Sequence, residues 1–117
     1  MVKFGVGSDI QKIDEFVSIE DNFIKRVYSN LEADYCRRKS KPAQHFAARF
    51  AAKEAVIKAF SQFGEKINYD EVEIVMNSGK PCGKITSRLK DKYDLNISMS
   101  HSGEYALGFA LVKNEKN

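Results

Sequence analysis

The spacing of apolar side chains changes character along the chain. Val2 to Val6 alternates like a short strand, and Gly7-Ser8-Asp9 predicts a turn from it into a brief helix carrying Ile10, Ile13 and Phe16. Helical spacing then dominates as far as Gly64. Glu20 to Val27 gathers Phe23, Ile24 and Val27 on one face, and Ser29-Asn30-Leu31-Glu32 has the S-x-x-E form of a capping box that starts the next helix. Pro42 marks a boundary, after which Ala43 to about Phe63 predicts a long helix closed by Gly64, with alanine, the best helix former, through its interior. Beyond it the period drops to two. Glu71 to Met76 reads as a strand with Val72, Ile74 and Met76 on one side, the turn-rich Asn77-Ser78-Gly79-Lys80-Pro81 follows, and Cys82 to Ile85 returns as a hairpin. A short charged helix near Ser87 to Tyr93 precedes a second hairpin, Leu95 to Ser100 and Tyr105 to Val112, joined by His101-Ser102-Gly103-Glu104. A polar tail from Lys113 to Asn117 is expected to fray. Segregated helices followed by antiparallel strands indicate an α+β fold with a long central helix packed on the sheet.

Length and composition narrow the class. A chain of 117 residues is one domain's worth of sequence, residues 1–117, and 43% hydrophobic with 30% charged side chains is the balance of a folded globular protein. No apolar run approaches the roughly 20 residues of a membrane span, and the first residues lead into a strand rather than a basic and then hydrophobic signal, so a cytoplasmic protein without a membrane partner is expected. Cys36 and Cys82 form no CxxC pair and have no clustered histidine beside them, which argues for reduced thiols over a metal knuckle or a disulfide framework.

Charge is unevenly spread. Residues 25–58 hold nine basic and three acidic side chains, whereas residues 1–24 hold two basic and five acidic. Positive charge concentrated this way suits a polyanionic partner, such as a nucleotide, a nucleic acid or an acidic protein, although a solvated helix face would look the same.

The segment HFAARFAAKEAVIKAF, residues 45–60, sharpens the choice. It is apolar or small nearly all round and carries only Arg49, Lys53, Glu54 and Lys58 as charges. At about 100° per residue, Lys53 lies about 40° from Arg49, while Glu54 and Lys58 fall near 140° and 180°. The four charges form two arcs, with Phe46, Phe50 and Ile57 between them. A buried charge is costly unless paired or ligated, and Glu54 with Lys58 at i, i+4 is compatible with an ordinary intrahelical ion pair. A second carboxylate, Asp9, follows two glycines at the end of the first strand. If Asp9 and Glu54 converge they form a hard-oxygen site of the kind Mg²⁺ takes, with water and phosphate oxygens completing the shell. Gly5-Val6-Gly7 lacks the third glycine of a dinucleotide fingerprint.

These segments carry a resemblance. Gly5-Val6-Gly7-Ser8-Asp9-Ile10, then Arg49-Phe50-Ala51-Ala52-Lys53-Glu54-Ala55 with Lys58-Ala59-Phe60, then Asn77-Ser78-Gly79-Lys80-Pro81, then Ile97-Ser98-Met99-Ser100-His101-Ser102 with Glu104-Tyr105-Ala106 resemble, in order, the motifs of the holo-acyl-carrier-protein synthases, a family of 4′-phosphopantetheinyl transferases. The resemblance spans nearly the whole chain, and RFAAKEA is its most specific part. It implies the 4′-phosphopantetheinyl transferase fold and Mg²⁺-dependent transfer of phosphopantetheine from coenzyme A to a serine of apo acyl carrier protein, releasing adenosine 3′,5′-bisphosphate.

By that resemblance Asp9 and Glu54 are the Mg²⁺ ligands and Lys58 contacts the transferring phosphate. Glu54 through a bound water, or another nearby base, takes the serine proton. Arg49 and Lys53 are candidates for the nucleotide phosphates, Gly79, Lys80 and Pro81 belong to the loop that lies against adenine, and His101 is the histidine near coenzyme A. Arg37, Arg38, Lys39 and Lys41 are placed to reach the same anion. Related synthases form trimers with the site between subunits, so a homotrimer is implied. They usually offer arginine to the carrier from the first helix, where this chain has Asp14 and Glu15; Lys12, Lys25 and Arg26 are the available replacements. A non-enzymatic RNA-binding module is the alternative reading of the basic segment, but no RNP-like or GxxG-clamp motif accompanies it.

Overall fold

A computed structural model describes residues 3–114. Its elements are β1 (Phe4–Lys12), a 3₁₀ turn (Ile13–Phe16), α1 (Asp21–Val27), α2 (Asn30–Arg37), α3 (Pro42–Ser61), a 3₁₀ turn (Tyr69–Glu71), β2 (Val72–Asn77), β3 (Lys80–Ile85), a 3₁₀ turn (Arg88–Asp91), β4 (Tyr93–Ser102) and β5 (Tyr105–Asn114). The strands form an antiparallel sheet of order β1-β5-β4 and a separate hairpin, β2-β3. This is the expected α+β arrangement, with α3 laid across the larger sheet.

The first strand is longer than its pattern predicts. Gly7-Ser8-Asp9 does not turn: Gly7 pairs with Ala110 and Asp9 with Gly108, and pairing continues to Lys12 opposite Tyr105. The glycines answer to the helix instead. A methyl group on Gly5 would collide with the carbonyl of Ala59, one on Gly7 with the carbonyl of Ala55, and one on Gly108 with the backbone of Ala51 and Ala52. Small residues on both partners bring α3 into backbone contact with β1 and β5. Ile10, expected inside a helix, stands exposed on the opposite face of the strand. Val2 and residues 115–117 lie outside the described residues, while Lys113 and Asn114 extend β5.

Pro42 opens α3 at its first turn, where the missing N–H costs nothing. The helix closes in a Schellman motif: Gly64 at positive φ, the Glu65 amide donating to Phe60 O and the Gly64 amide to Ser61 O. Along its length Ala47, Ala51, Ala52, Ala55, Val56, Ala59 and Phe60 are buried. Two apolar clusters form around it, one near Phe16, Ile24, Val27, Tyr28 and Phe46, the other near Val56, Phe60, Ile67, Leu89 and Val112. Each large apolar side chain so buried contributes about 1.5–3 kcal/mol.

The Ser29 capping box forms, Ser29 Oγ accepting from the Glu32 amide at 3.2 Å and Glu32 Oε1 from the Ser29 amide at 2.8 Å. The β2-β3 hairpin turns through Ser78 and Gly79, both at positive φ, so the return strand starts at Lys80 rather than Cys82. Pro81 faces Met76 in the second pair from the turn, a position whose N–H would point away from β2. The hairpin leans on β4, where Gly83 meets Leu95 and Ile97.

Candidate functional site

Two flanks of α3 carry polar chemistry: Glu54 and Lys58 serve one, and of the Arg49–Lys53 arc only Arg49 lines the other. On the β1 side, strand alternation turns Gly5, Gly7, Asp9 and Gln11 toward the helix. Asp9 is therefore held in mid-strand beside α3, its Oδ1 3.1 Å from Lys58 Nζ and its Oδ2 accepting from Gln11 Nε2 at 2.7 Å. Lys58 also donates to the Ser8 carbonyl at 3.0 Å, so its partners lie on β1 and not at Glu54 one turn away. Glu54 accepts a hydrogen bond from the Tyr69 hydroxyl. That phenol is pushed up to about 12 by burial, by its bond to Glu54, by the Glu54 charge and by the charge of Asp9, with Arg26 opposing. Both carboxylates thus act on one hydroxyl. A hollow of about 360 Å³, lined by Ser8, Asp9, Ile10, Lys58, Leu107 and Phe109, opens this flank to solvent.

Asp9 and Glu54 offer hard anionic oxygens of the type Mg²⁺ prefers. Among the described residues no group of three or more His, Cys, Asp or Glu gathers to hold a metal. Two carboxylates with open positions beside them fit an ion that keeps water and takes phosphate oxygens, and do not fit a closed structural metal site.

On the other flank a cavity of about 180 Å³ is lined by Arg49, His45, Gln44 and Ala48 of α3, Tyr35 of α2, Met76 and Pro81 of the hairpin, and Met99, Ser100 and His101 of β4. Three predicted nucleotide residues, Arg49, Pro81 and His101, meet here. Arg49 is only 2% exposed, its guanidinium lies 4.4 Å from the Tyr35 ring centroid, and its Nη1 donates to the His45 carbonyl at 3.4 Å. Its Nε is buried without a hydrogen-bond partner. His101 lies within β4, not in a loop, with Nε2 3.1 Å from Gln44 Nε2. Gly79 and Lys80 sit exposed at the hairpin tip and do not line the cavity.

Lys53 does not belong to this cavity. It is 1% exposed and faces the core, where Nζ lies 2.9 Å from Glu32 Oε1 and donates to the carbonyls of Val27 at 2.8 Å, Tyr69 at 3.1 Å and Val72 at 2.7 Å. Burial pushes the ammonium down and Glu32 pulls it up. The second Glu32 oxygen accepts from the Ile74 amide at 2.7 Å, so the capping residue of α2 also anchors β2. The expected nucleotide contact is corrected to an internal clamp joining α1, α2, α3 and β2. A 40° offset from Arg49 could not show which of the two turned inward.

Tyr69, Gln11, Tyr35, Gln44 and His45 are the site residues that sequence reasoning passed over. The only available signal was spacing: His45 stands four residues before Arg49 on α3. The basic run Arg37, Arg38, Lys39 and Lys41 is exposed, and Lys39 reaches the cavity rim with Nζ 4.5 Å from the Tyr35 ring centroid.

Comparison with known proteins adds a family to this geometry. The family model described as the 4′-phosphopantetheinyl transferase superfamily matches residues 5–110. A holo-acyl-carrier-protein synthase of Ruminiclostridium cellulolyticum is 36% identical over 120 residues, covering 92% of this chain and 90% of that protein. The structure of an ACPS–CoA complex from Chronobacterium ammoniagenes superposes with a TM-score of 0.82 at 28% identity, over 97% of this chain and 99% of that one. A Bacillus anthracis holo-acyl-carrier-protein synthase in complex with CoA (3′,5′-ADP) superposes with a TM-score of 0.78 at 25% identity, over 95% and 96% of the two chains.

Proposed function

The chain belongs to the 4′-phosphopantetheinyl transferase superfamily and is an enzyme of the holo-acyl-carrier-protein synthase type; from that premise we propose how its two flanks divide the transfer of 4′-phosphopantetheine from coenzyme A to a serine of apo acyl carrier protein. The observation that carries the reading is the gathering of Asp9, Lys58, Glu54 and Tyr69 on one flank of α3. The serine oxygen bonds to the β-phosphorus of coenzyme A, the pyrophosphate P–O bond breaks, and adenosine 3′,5′-bisphosphate leaves with the bridging electron pair. Negative charge spreads over phosphoryl oxygens as this happens, so electrostatic stabilisation is the main demand on the site.

Asp9 and Glu54 would hold Mg²⁺, which when bound supplies charge stabilisation to those oxygens. Lys58, half exposed and tethered to Asp9, is the cation that turns to the transferring phosphoryl group. Tyr69 orients Glu54, and Glu54 accepts the serine proton directly or through water. On the other flank the Arg49 guanidinium, His101 and Pro81 take the nucleotide end of coenzyme A, with Gly79 and Lys80 at the rim.

The two hollows share no lining residue, and Gly7 and Gly108 hold the α3 backbone against the sheet. The outer face of the sheet is also apolar and exposed, with Phe4, Val6 and Ile10 of β1 beside Tyr105, Phe109 and Leu111 of β5. We assign that face to contact between copies, in a homotrimer whose sites combine the Asp9 flank of one copy with the Arg49 cavity of a neighbour. For the acidic carrier, exposed Lys25 and Arg26 replace the cations missing at exposed Asp14 and Glu15, and Arg26 is close enough to the site to act on Tyr69. Burial of Arg49 and Lys53 removes two cations from the basic segment's surface, which counts against the nucleic-acid reading. No helix among the described residues is long and apolar enough to cross a membrane; we place the single domain, residues 1–117, in the cytoplasm.

Mass spectrometry of apo acyl carrier protein incubated with this protein, coenzyme A and Mg²⁺ tests the reading. The carrier gains the mass of phosphopantetheine; absence of the gain across several carriers, the organism's own included, sinks it.

A further inference from the structure

The Arg49 cavity holds more positive charge than its structure neutralises. The cations are Arg49, which lines it from α3, and Lys39, which reaches its rim from the segment after α2; His45 and His101 line it as well, and no carboxylate does. Tyr35 is a shared platform, with the Arg49 guanidinium 4.4 Å and the Lys39 ammonium 4.5 Å from its ring centroid and the His45 ring edge-on at 6.0 Å. Arg49 Nε has no partner, and His101 is tied to Gln44. His45 lines the same cavity, half-buried, with neither ring nitrogen hydrogen-bonded to any described residue.

We propose that His45 is a proton-linked phosphate contact: neutral in the free protein, it takes up a proton as the phosphorylated nucleotide end of coenzyme A enters the cavity, and donates a charged hydrogen bond to it. The inference rests on the assignment of this cavity to that nucleotide and adds a residue to it.

The electrostatics run in one direction. Burial, then the charges of Arg49, Lys39 and His101, hold the His45 imidazole below the ordinary histidine range. All of these favour the neutral ring, and no anion facing it opposes them. A phosphate in the cavity offsets that positive charge and gives an imidazolium an acceptor, both of which favour the charged form. A histidine moved from below to above neutrality changes its charge in the physiological range, so binding and proton uptake become one event. A phenylalanine or glutamine here would fill the space without that linkage.

Calorimetric titration of adenosine 3′,5′-bisphosphate into the protein at about pH 7, in two buffers of different ionisation enthalpy, counts the protons taken up. The nucleotide's phosphates titrate near this range, so the readout is the difference between the wild-type protein and His45→Gln. Wild type takes up a fraction of a proton more than the variant, and its affinity rises by about three- to tenfold more on going from pH ~8 to ~6.5. Proton NMR of the intact wild-type protein reads the same event directly, because the chain has two histidines and His45→Gln assigns both. The His45 resonance titrates at higher pH with the nucleotide than without. Equal proton uptake by the two proteins, or a His45 titration unmoved by bound nucleotide, overturns the proposal and leaves the nucleotide site standing. Failure of the wild type to bind the nucleotide at any pH overturns both.

Discussion

Replacing Lys53 with methionine separates an internal clamp from a nucleotide ligand. Methionine keeps most of the stem and the packing but removes the ammonium. Three carbonyls, of Val27, Tyr69 and Val72, then lose a charged donor, and the Glu32 carboxylate stays buried without its counter-ion. Removing one partner of a buried pair costs about 3–5 kcal/mol. Glu32 keeps the amides of Ser29 and Ile74 as donors, so the lower end, about 3 kcal/mol, is expected. Against a total stability of about 5–15 kcal/mol this is plainly visible in urea unfolding. The double variant Lys53→Met, Glu32→Leu should recover part of the loss, since it removes the unpaired charge. Coenzyme A affinity of the folded single variant should stay within about twofold of wild type. A stability loss below about 1 kcal/mol together with a weakened coenzyme A complex would refute the clamp and restore Lys53 to the nucleotide.

Asp9→Ala and Glu54→Ala should each abolish Mg²⁺-dependent transfer with the circular dichroism of the fold unchanged, and near-normal turnover in either removes that residue from the metal pair. Lys58→Ala should lower turnover by more than it weakens coenzyme A binding, because its contact strengthens as phosphoryl charge develops; unchanged kcat in steady-state assays returns it to a structural tether of Asp9. Gly7→Ala should destabilise by about 2 kcal/mol or more through collision with the Ala55 carbonyl, read from the urea midpoint, whereas a cost below about 0.5 kcal/mol would show that α3 and β1 separate easily. Burial pushes the Cys36 thiol up to about 11 from 9.0. The folded state therefore holds a proton that the unfolded chain releases above the lower value, so this contribution is intact below pH 9 and is lost as pH rises toward 11. Cys36→Ala should flatten the alkaline fall in stability by up to about 1.4 kcal/mol per pH unit, and an unchanged slope refutes the assignment.

What could be read from sequence follows from what each pattern encodes. The length and Gly64 terminus of α3 were legible because alanine propensity and a C-terminal glycine are local properties, as is the Ser29–Glu32 cap. The separation of Arg49 from Glu54 and Lys58 on α3 held because helical geometry is regular. The role of Gly7 was misread because a glycine that permits a turn and one that admits a neighbouring backbone look the same in one dimension. Only the packed helix, with the Ala55 and Ala59 backbone facing Gly7, distinguishes them. Lys53 was misplaced for a related reason. Its partners are Glu32, Val27, Tyr69 and Val72, scattered over four other elements, and no periodicity within α3 announces them. Tyr69 and His45 were passed over because each acquires its chemistry from a residue on another turn or element.

Subunit mixing measures directly whether the site is shared between copies. Asp9→Ala spoils one flank and Arg49→Met the other, so each variant alone should be inactive in transfer to apo carrier protein. Co-expressed and purified together as one oligomer, the two should regain a clear fraction of wild-type activity, because some sites then pair the intact Arg49 cavity of one copy with the intact Asp9 flank of another. Mixed oligomers as inactive as the separate variants would contradict it, and would mean that each chain carries a complete site of its own.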